Sequence, residues 1–175
     1  MQTLRVHHAT RAALGCALAG CLLLVGCGTG SQAAAGDPAV TQKPAATATV
    51  RLISVPGLGA VLADGGGHAL YMFPPDAGGR VSCIGACAGT WPPLAVKDGA
   101  TPKAAAGVNG HLLGTLRDPN TGGRIVTYGG YPLYRYAGDV TAGTADGQAL
   151  FLNGGPWYVL DANGQPITAG ANGAS

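Results

Sequence analysis

Displaced by 63 residues, one stretch of this chain lies over another without a gap. Val61-Leu62-Ala63-Asp64-Gly65-Gly66-Gly67-His68-Ala69-Leu70-Tyr71-Met72-Phe73 aligns on Arg124-Ile125-Val126-Thr127-Tyr128-Gly129-Gly130-Tyr131-Pro132-Leu133-Tyr134-Arg135-Tyr136. Asp76 then falls over Asp139, and each copy later reaches a tryptophan, Trp91 or Trp157. Self-similarity at one spacing predicts repeated supersecondary units that bury their apolar faces against each other. Two such units, about 50–96 and 113–163, are expected to pack as one small domain over 49–167.

Each copy reads as a β-hairpin. An apolar strand runs into Gly65-Gly66-Gly67 or Gly129-Gly130, where glycine admits the positive φ of tight turns. A strand with alternating large residues returns. Period two puts Tyr71 and Phe73, or Tyr134 and Tyr136, on one face and Leu70 or Leu133 on the other. Arg135 shares the face of Leu133, so that face is expected to be wet at its end. The chain has 31 glycines and 12 prolines, and all eight of its acids are aspartate. That composition favours many turns over long charged helices, and the fold class expected is all-β or mainly β. One short helix over 104–113 is the exception, weakened by Gly107 and Gly110.

Tyr71-Met72-Phe73-Pro74-Pro75-Asp76 and Tyr134-Arg135-Tyr136-Ala137-Gly138-Asp139 are two copies of a Tyr-x-aromatic-x-x-Asp motif. Cys83, Cys87 and Trp91-Pro92-Pro93-Leu94 follow the first copy; Gly155-Pro156-Trp157-Tyr158-Val159 follows the second. In these features the chain resembles a family of bacterial secreted-repeat lipoproteins over roughly residues 50–165. The resemblance implies a location outside the cytoplasm. The family is of unknown function, so it brings no catalytic residue with it.

The N-terminus agrees with that address. Arg5 and Arg11 form a positive start, and Ala12 to Val25 an apolar run too short to span a bilayer. Leu24-Val25-Gly26-Cys27 resembles the lipobox of bacterial lipoproteins. It predicts a signal peptide over 1–26, cleavage before Cys27, and lipid on that cysteine. Residues 27–48 have almost no large apolar side chain and read as a linker; 168–175 read as a frayed tail. Removing the leader takes two of the ten basic residues and no acid, leaving a formally neutral chain. A neutral chain lacks the basic field that nucleic acid binding needs. The membrane, through the anchor, is one expected partner, and an envelope protein or small ligand the other.

No constellation of catalytic residues is recognisable, and no enzymatic activity or cofactor is expected. Asp76 and Asp139 read first as turn residues capping backbone amides; a carboxylate pair for hydrolysis, drawing on Asp118 or Asp146, is the alternative. Tyr71, Phe73, Tyr134, Tyr136, Trp91 and Trp157 read as inter-repeat packing, with a shared aromatic ligand surface as the alternative. Cys83 and Cys87, outside the cytoplasm, read as a disulfide. A redox, metal or haem-linked role is the alternative, although a zinc site would need His68 and His111 as its remaining ligands. Both histidines read as solvated loop residues, and no metal site is expected. The function expected is that of a non-enzymatic envelope lipoprotein that binds a partner or ligand.

Overall fold

The computed structural model describes residues 47–168. The expected signal peptide, Cys27, nearly all of the expected linker and the tail beyond Thr168 lie outside the described residues. The chain is mainly β. In order, its elements are β1 (Thr49–Val55), β2 (Gly59–Asp64), β3 (Tyr71–Met72), α1 (Ala86–Thr90), β4 (Ala95–Val96), β5 (Lys103–Ala104), β6 (Leu113–Arg117), β7 (Arg124–Tyr128), β8 (Tyr131–Pro132), β9 (Phe151–Leu152), β10 (Gly155–Pro156) and β11 (Tyr158–Val159).

The two copies are hairpins β1–β2 and β6–β7, each followed by a returning arm that carries the motif tyrosine. Pro56-Gly57 turns the first, with Gly57 at φ 78° and the Leu58 amide donating to the Val55 carbonyl at 3.1 Å. Pro fixes the first central residue of such a turn and Gly supplies the positive φ of the second. In the second hairpin, Asp118 closes the longer loop. Its carboxylate accepts the Asn120 amide at 2.9 Å and the Thr121 hydroxyl at 2.8 Å, a local turn bond of the kind short acidic side chains make.

The spatial match between copies needs a one-residue gap that the sequence alignment lacks. Leu62 accepts from the Leu70 amide and donates to the Leu160 carbonyl; Val126 accepts from Leu133 and donates to Leu94. Leu62 therefore occupies the place of Val126, not of Ile125. The first Gly-rich turn is one residue longer, and its glycines absorb the insertion.

Alternation along the returning arms sorts the core into two layers. Tyr71, Phe73, Tyr134, Trp91 and Trp157 lie with Val61 and Ile125 on one side. Leu70, Met72, Leu133, Leu94 and Leu160 lie with Leu62 and Val126 on the other. Arg135, half-buried at the end of the Leu133 face, reaches back to the first copy and pairs with Asp64 at 2.6 Å.

The expected helix over 104–113 is not formed. Lys103 and Ala104 pair in parallel with Thr49 and Val50, Gly107 takes φ 83°, and only a 3₁₀ turn follows at Gly110–Leu112. Sheet pairing and a left-handed glycine together defeat a weak helix.

Candidate functional site

The motif residues meet where the two copies cross. Tyr71 and Tyr134 face each other antiparallel: the Tyr71 amide donates to the Tyr134 carbonyl at 2.8 Å, and the reverse bond is 3.0 Å. Each is the other's repeat equivalent, so an approximate twofold axis passes between them. Their side chains repeat the exchange. The Tyr71 hydroxyl donates to Asp139 Oδ2 at 2.7 Å, and the Tyr134 hydroxyl donates to Asp76 Oδ2 at 2.5 Å. The tyrosine of one copy thus holds the aspartate of the other, twice.

The second oxygen of each aspartate does the local work of a cap. Asp76 Oδ1 accepts the Ser82 amide at 2.7 Å, and Asp139 Oδ1 accepts the Asp146 amide at 2.8 Å. Asp76 and Asp139 are buried, and a buried carboxylate is tolerable only when so bonded. Asp146 is exposed and offers only its backbone amide.

Around this clasp the rings stack. Trp91 and Trp157 lie face to face at 3.9 Å, 3° from parallel. Phe73 of the first copy stacks on Trp157 of the second at 4.2 Å, and Tyr136 of the second leans on Trp91 of the first at 4.5 Å. Tyr71 meets Trp91 edge-on at 5.3 Å, and Tyr134 meets Trp157 likewise at 5.2 Å. The strands cross over too. β11, beyond Trp157, pairs with β3, and the segment after Trp91 pairs with Tyr134 and β7. Each copy completes the other.

As a ligand surface these side chains are unavailable. Tyr71, Phe73, Tyr134, Trp91 and Trp157 are all buried, and only Tyr136 reaches partly to solvent. The contact is also close. A Cβ on Gly147 would sit 2.9 Å from Trp91 Cη2 and 3.0 Å from Tyr136 Cγ. Gly147→Ala is therefore expected to cost about 1–3 kcal/mol in a urea titration, as overpacking does in other cores.

Cys83 and Cys87 form a disulfide with Cα atoms 5.2 Å apart. It closes the turn that leads into α1, and Asn120 ties this turn to the second hairpin. The Asn120 side chain donates to the Cys83 carbonyl at 3.1 Å and accepts the Gly85 amide at 2.9 Å. Cys83 is wholly buried and Cys87 is 8% exposed. His111 is exposed, as expected. His68 departs from its expectation: it is half-buried, with Nδ1 3.2 Å from the Asp139 carbonyl, because the first Gly-rich turn docks on the second copy. Among the described residues no group of three His, Cys or Asp side chains is placed to hold a metal ion.

Burial first, and then the bond to a carboxylate, pushes both Tyr71 and Tyr134 far above the usual phenol range. Burial also raises Asp139, against its bond from Tyr71. The sign for the tyrosines follows directly. Above pH about 10 an unfolded tyrosine loses its proton, while the folded pair keeps both. The unfolded state then binds fewer protons, so stability falls as pH rises. The expected slope is about 2.7 kcal/mol per pH unit for the two together, with their contribution intact below pH 10. Tyrosinate absorbance from this pair should appear only as the fold is lost.

Residues 53–95, from within β1 to the first residue of β4, match the model of a family described as a secreted repeat of unknown function. The matched segment contains the first Tyr–Asp motif, the disulfide and Trp91. No curated protein and no solved structure matches the chain. A secreted repeat lies outside the cytoplasm, where a disulfide persists. No helix among the described residues is long and apolar enough to cross a membrane.

Proposed function

We propose that the protein is a cell-envelope lipoprotein whose domain acts without catalysis, as a binding or structural module at the membrane surface. Residues 1–26 direct export, Cys27 carries the lipid, and residues 27–48 tether the domain. Two or three acyl chains, at about 0.8 kcal/mol per buried methylene, make a stable anchor where one chain does not.

One observation carries the non-enzymatic reading. The phenols and carboxylates of both motifs are engaged with each other in the interior, and a general acid or base must reach a substrate proton. A redox role through Cys83 and Cys87 meets the same obstacle, since exchange needs an accessible sulfur.

The test is intact and native mass spectrometry of the full chain from its host's membranes. Acylation of Cys27 and a two-proton deficit from Cys83–Cys87 are the expected masses. An unmodified Cys27 removes the anchor. A co-purifying metal or haem moves the redox reading ahead. Loss of an envelope hydrolase activity in a folded Asp76→Asn or Asp139→Asn variant removes the non-enzymatic reading.

A further inference from the structure

We infer that the β9–β10 hairpin is a second, non-covalent contact with the lipid surface, an inference that rests on the membrane anchor proposed above. The hairpin reverses through Asn153-Gly154, at φ 57° and 88°. Two left-handed central residues make the tight two-residue turn whose twist suits paired strands. Its base is fixed to the body. Trp157 Nε1 donates to the Leu152 carbonyl at 3.1 Å, and a Cβ on buried Gly155 would lie 2.8 Å from the Phe73 ring.

Two large apolar side chains precede its Asn153-Gly154 turn. Phe151 is 71% exposed and Leu152 38%. Successive strand residues point to opposite faces, so each face beside the turn carries a large apolar side chain, that of Phe151 mostly in solvent and that of Leu152 partly so. The chain from Gly147 to Leu160 carries no charge. Two protruding side chains make no concave site for a small ligand, and an uncharged tip gives a protein partner no electrostatic steering. A bilayer interface needs neither. It accepts a small convex apolar tip, and no ion has to be desolvated on entry. Position favours it as well. About twenty residues separate Cys27 from β1, and at no more than about 3.6 Å each they keep the domain within about 70 Å of the lipid. Contact is then intramolecular in effect, so a weak interaction suffices.

The test uses the full chain from host membranes, carrying Phe151→Trp, in vesicles of zwitterionic phosphatidylcholine. Trp91 and Trp157 are fully buried and form a constant background. The new indole is expected to emit further to the blue and to be quenched by lipids brominated in their tails. Leu152→Ser added to it should weaken that quenching roughly two-fold or more. Val140→Trp, at a site 87% exposed and outside the hairpin, should not be quenched. Quenching no greater than that of Val140→Trp overturns the inference. So does a blue shift that appears only when envelope proteins are added, which would assign the tip to a protein partner. The intact mass of the same sample separates the two claims. An acylated Cys27 without quenching removes the hairpin contact alone; quenching without acylation retains the contact and removes the anchor.

Discussion

Trp91→Ala and Trp157→Ala are each expected to lower the free energy of unfolding by about 3–5 kcal/mol, the largest effects of any single replacement here. Both indoles are fully buried at the crossing of the copies. Removing either also strips a stacking partner from the other and from Phe73 or Tyr136. The two tryptophans differ in one respect. Trp157 Nε1 donates to the Leu152 carbonyl, whereas Trp91 Nε1 has no partner among the described residues. Trp157→Phe should therefore cost more than Trp91→Phe, by about 1 kcal/mol, the net worth of one hydrogen bond. Urea titration of the four variants checks both statements.

Asp76→Ala is expected to cost about 3 kcal/mol. It strands the Tyr134 hydroxyl and the Ser82 amide without their acceptor, and a buried group left unpaired costs its desolvation. Tyr134→Phe should cost less, since it removes one donor and leaves Asp76 its bonds from Ser82. The double variant should fall short of the sum by about 1–2 kcal/mol, as expected for residues in direct contact. The same cycle on Asp139 and Tyr71 should give a similar coupling. Asp146→Ala is the control. Its side chain is exposed and its contribution is made by the backbone, so a change within about 0.5 kcal/mol is expected. A coupling indistinguishable from zero in both cycles would mean that the aspartates serve only as local caps.

Much of this was readable in the chain. Alternation in Leu70-Tyr71-Met72-Phe73 and Leu133-Tyr134-Arg135-Tyr136 sorts the aromatic and aliphatic layers correctly, because period two is a property of any extended strand. The spacing of Cys83 and Cys87 in a secreted chain was enough for the disulfide. The exchange between copies was not readable. Asp76 lies five residues after Tyr71, and a local reading makes it a turn cap. That is half right, since Oδ1 caps Ser82 while Oδ2 bonds the tyrosine of the other copy. Internal symmetry hides the difference: a pairing within each copy and a pairing between copies predict the same repeated residues. The one-residue offset at the Gly-rich turns was hidden for a related reason. Runs of glycine align with one another in more than one frame, and only the hydrogen bonds of Leu62 and Val126 distinguish the frames. The burial of His68 is not readable either, because its partner is a backbone carbonyl of the other copy, which no side-chain pattern reveals.

Neither copy is a complete folding unit. The chain is best divided within 98–102, after β4 and before β5, so that one fragment ends after the first motif and Trp91 and the other begins before the second hairpin. Two-dimensional NMR of each fragment alone should show the narrow amide dispersion of an unfolded chain. Mixing them in equal amounts should restore the dispersed spectrum, with indole signals shifted by the Trp91–Trp157 stack. A fragment that folds cooperatively by itself, with a dispersed spectrum unchanged by its counterpart, would mean that each copy is a folding unit of its own.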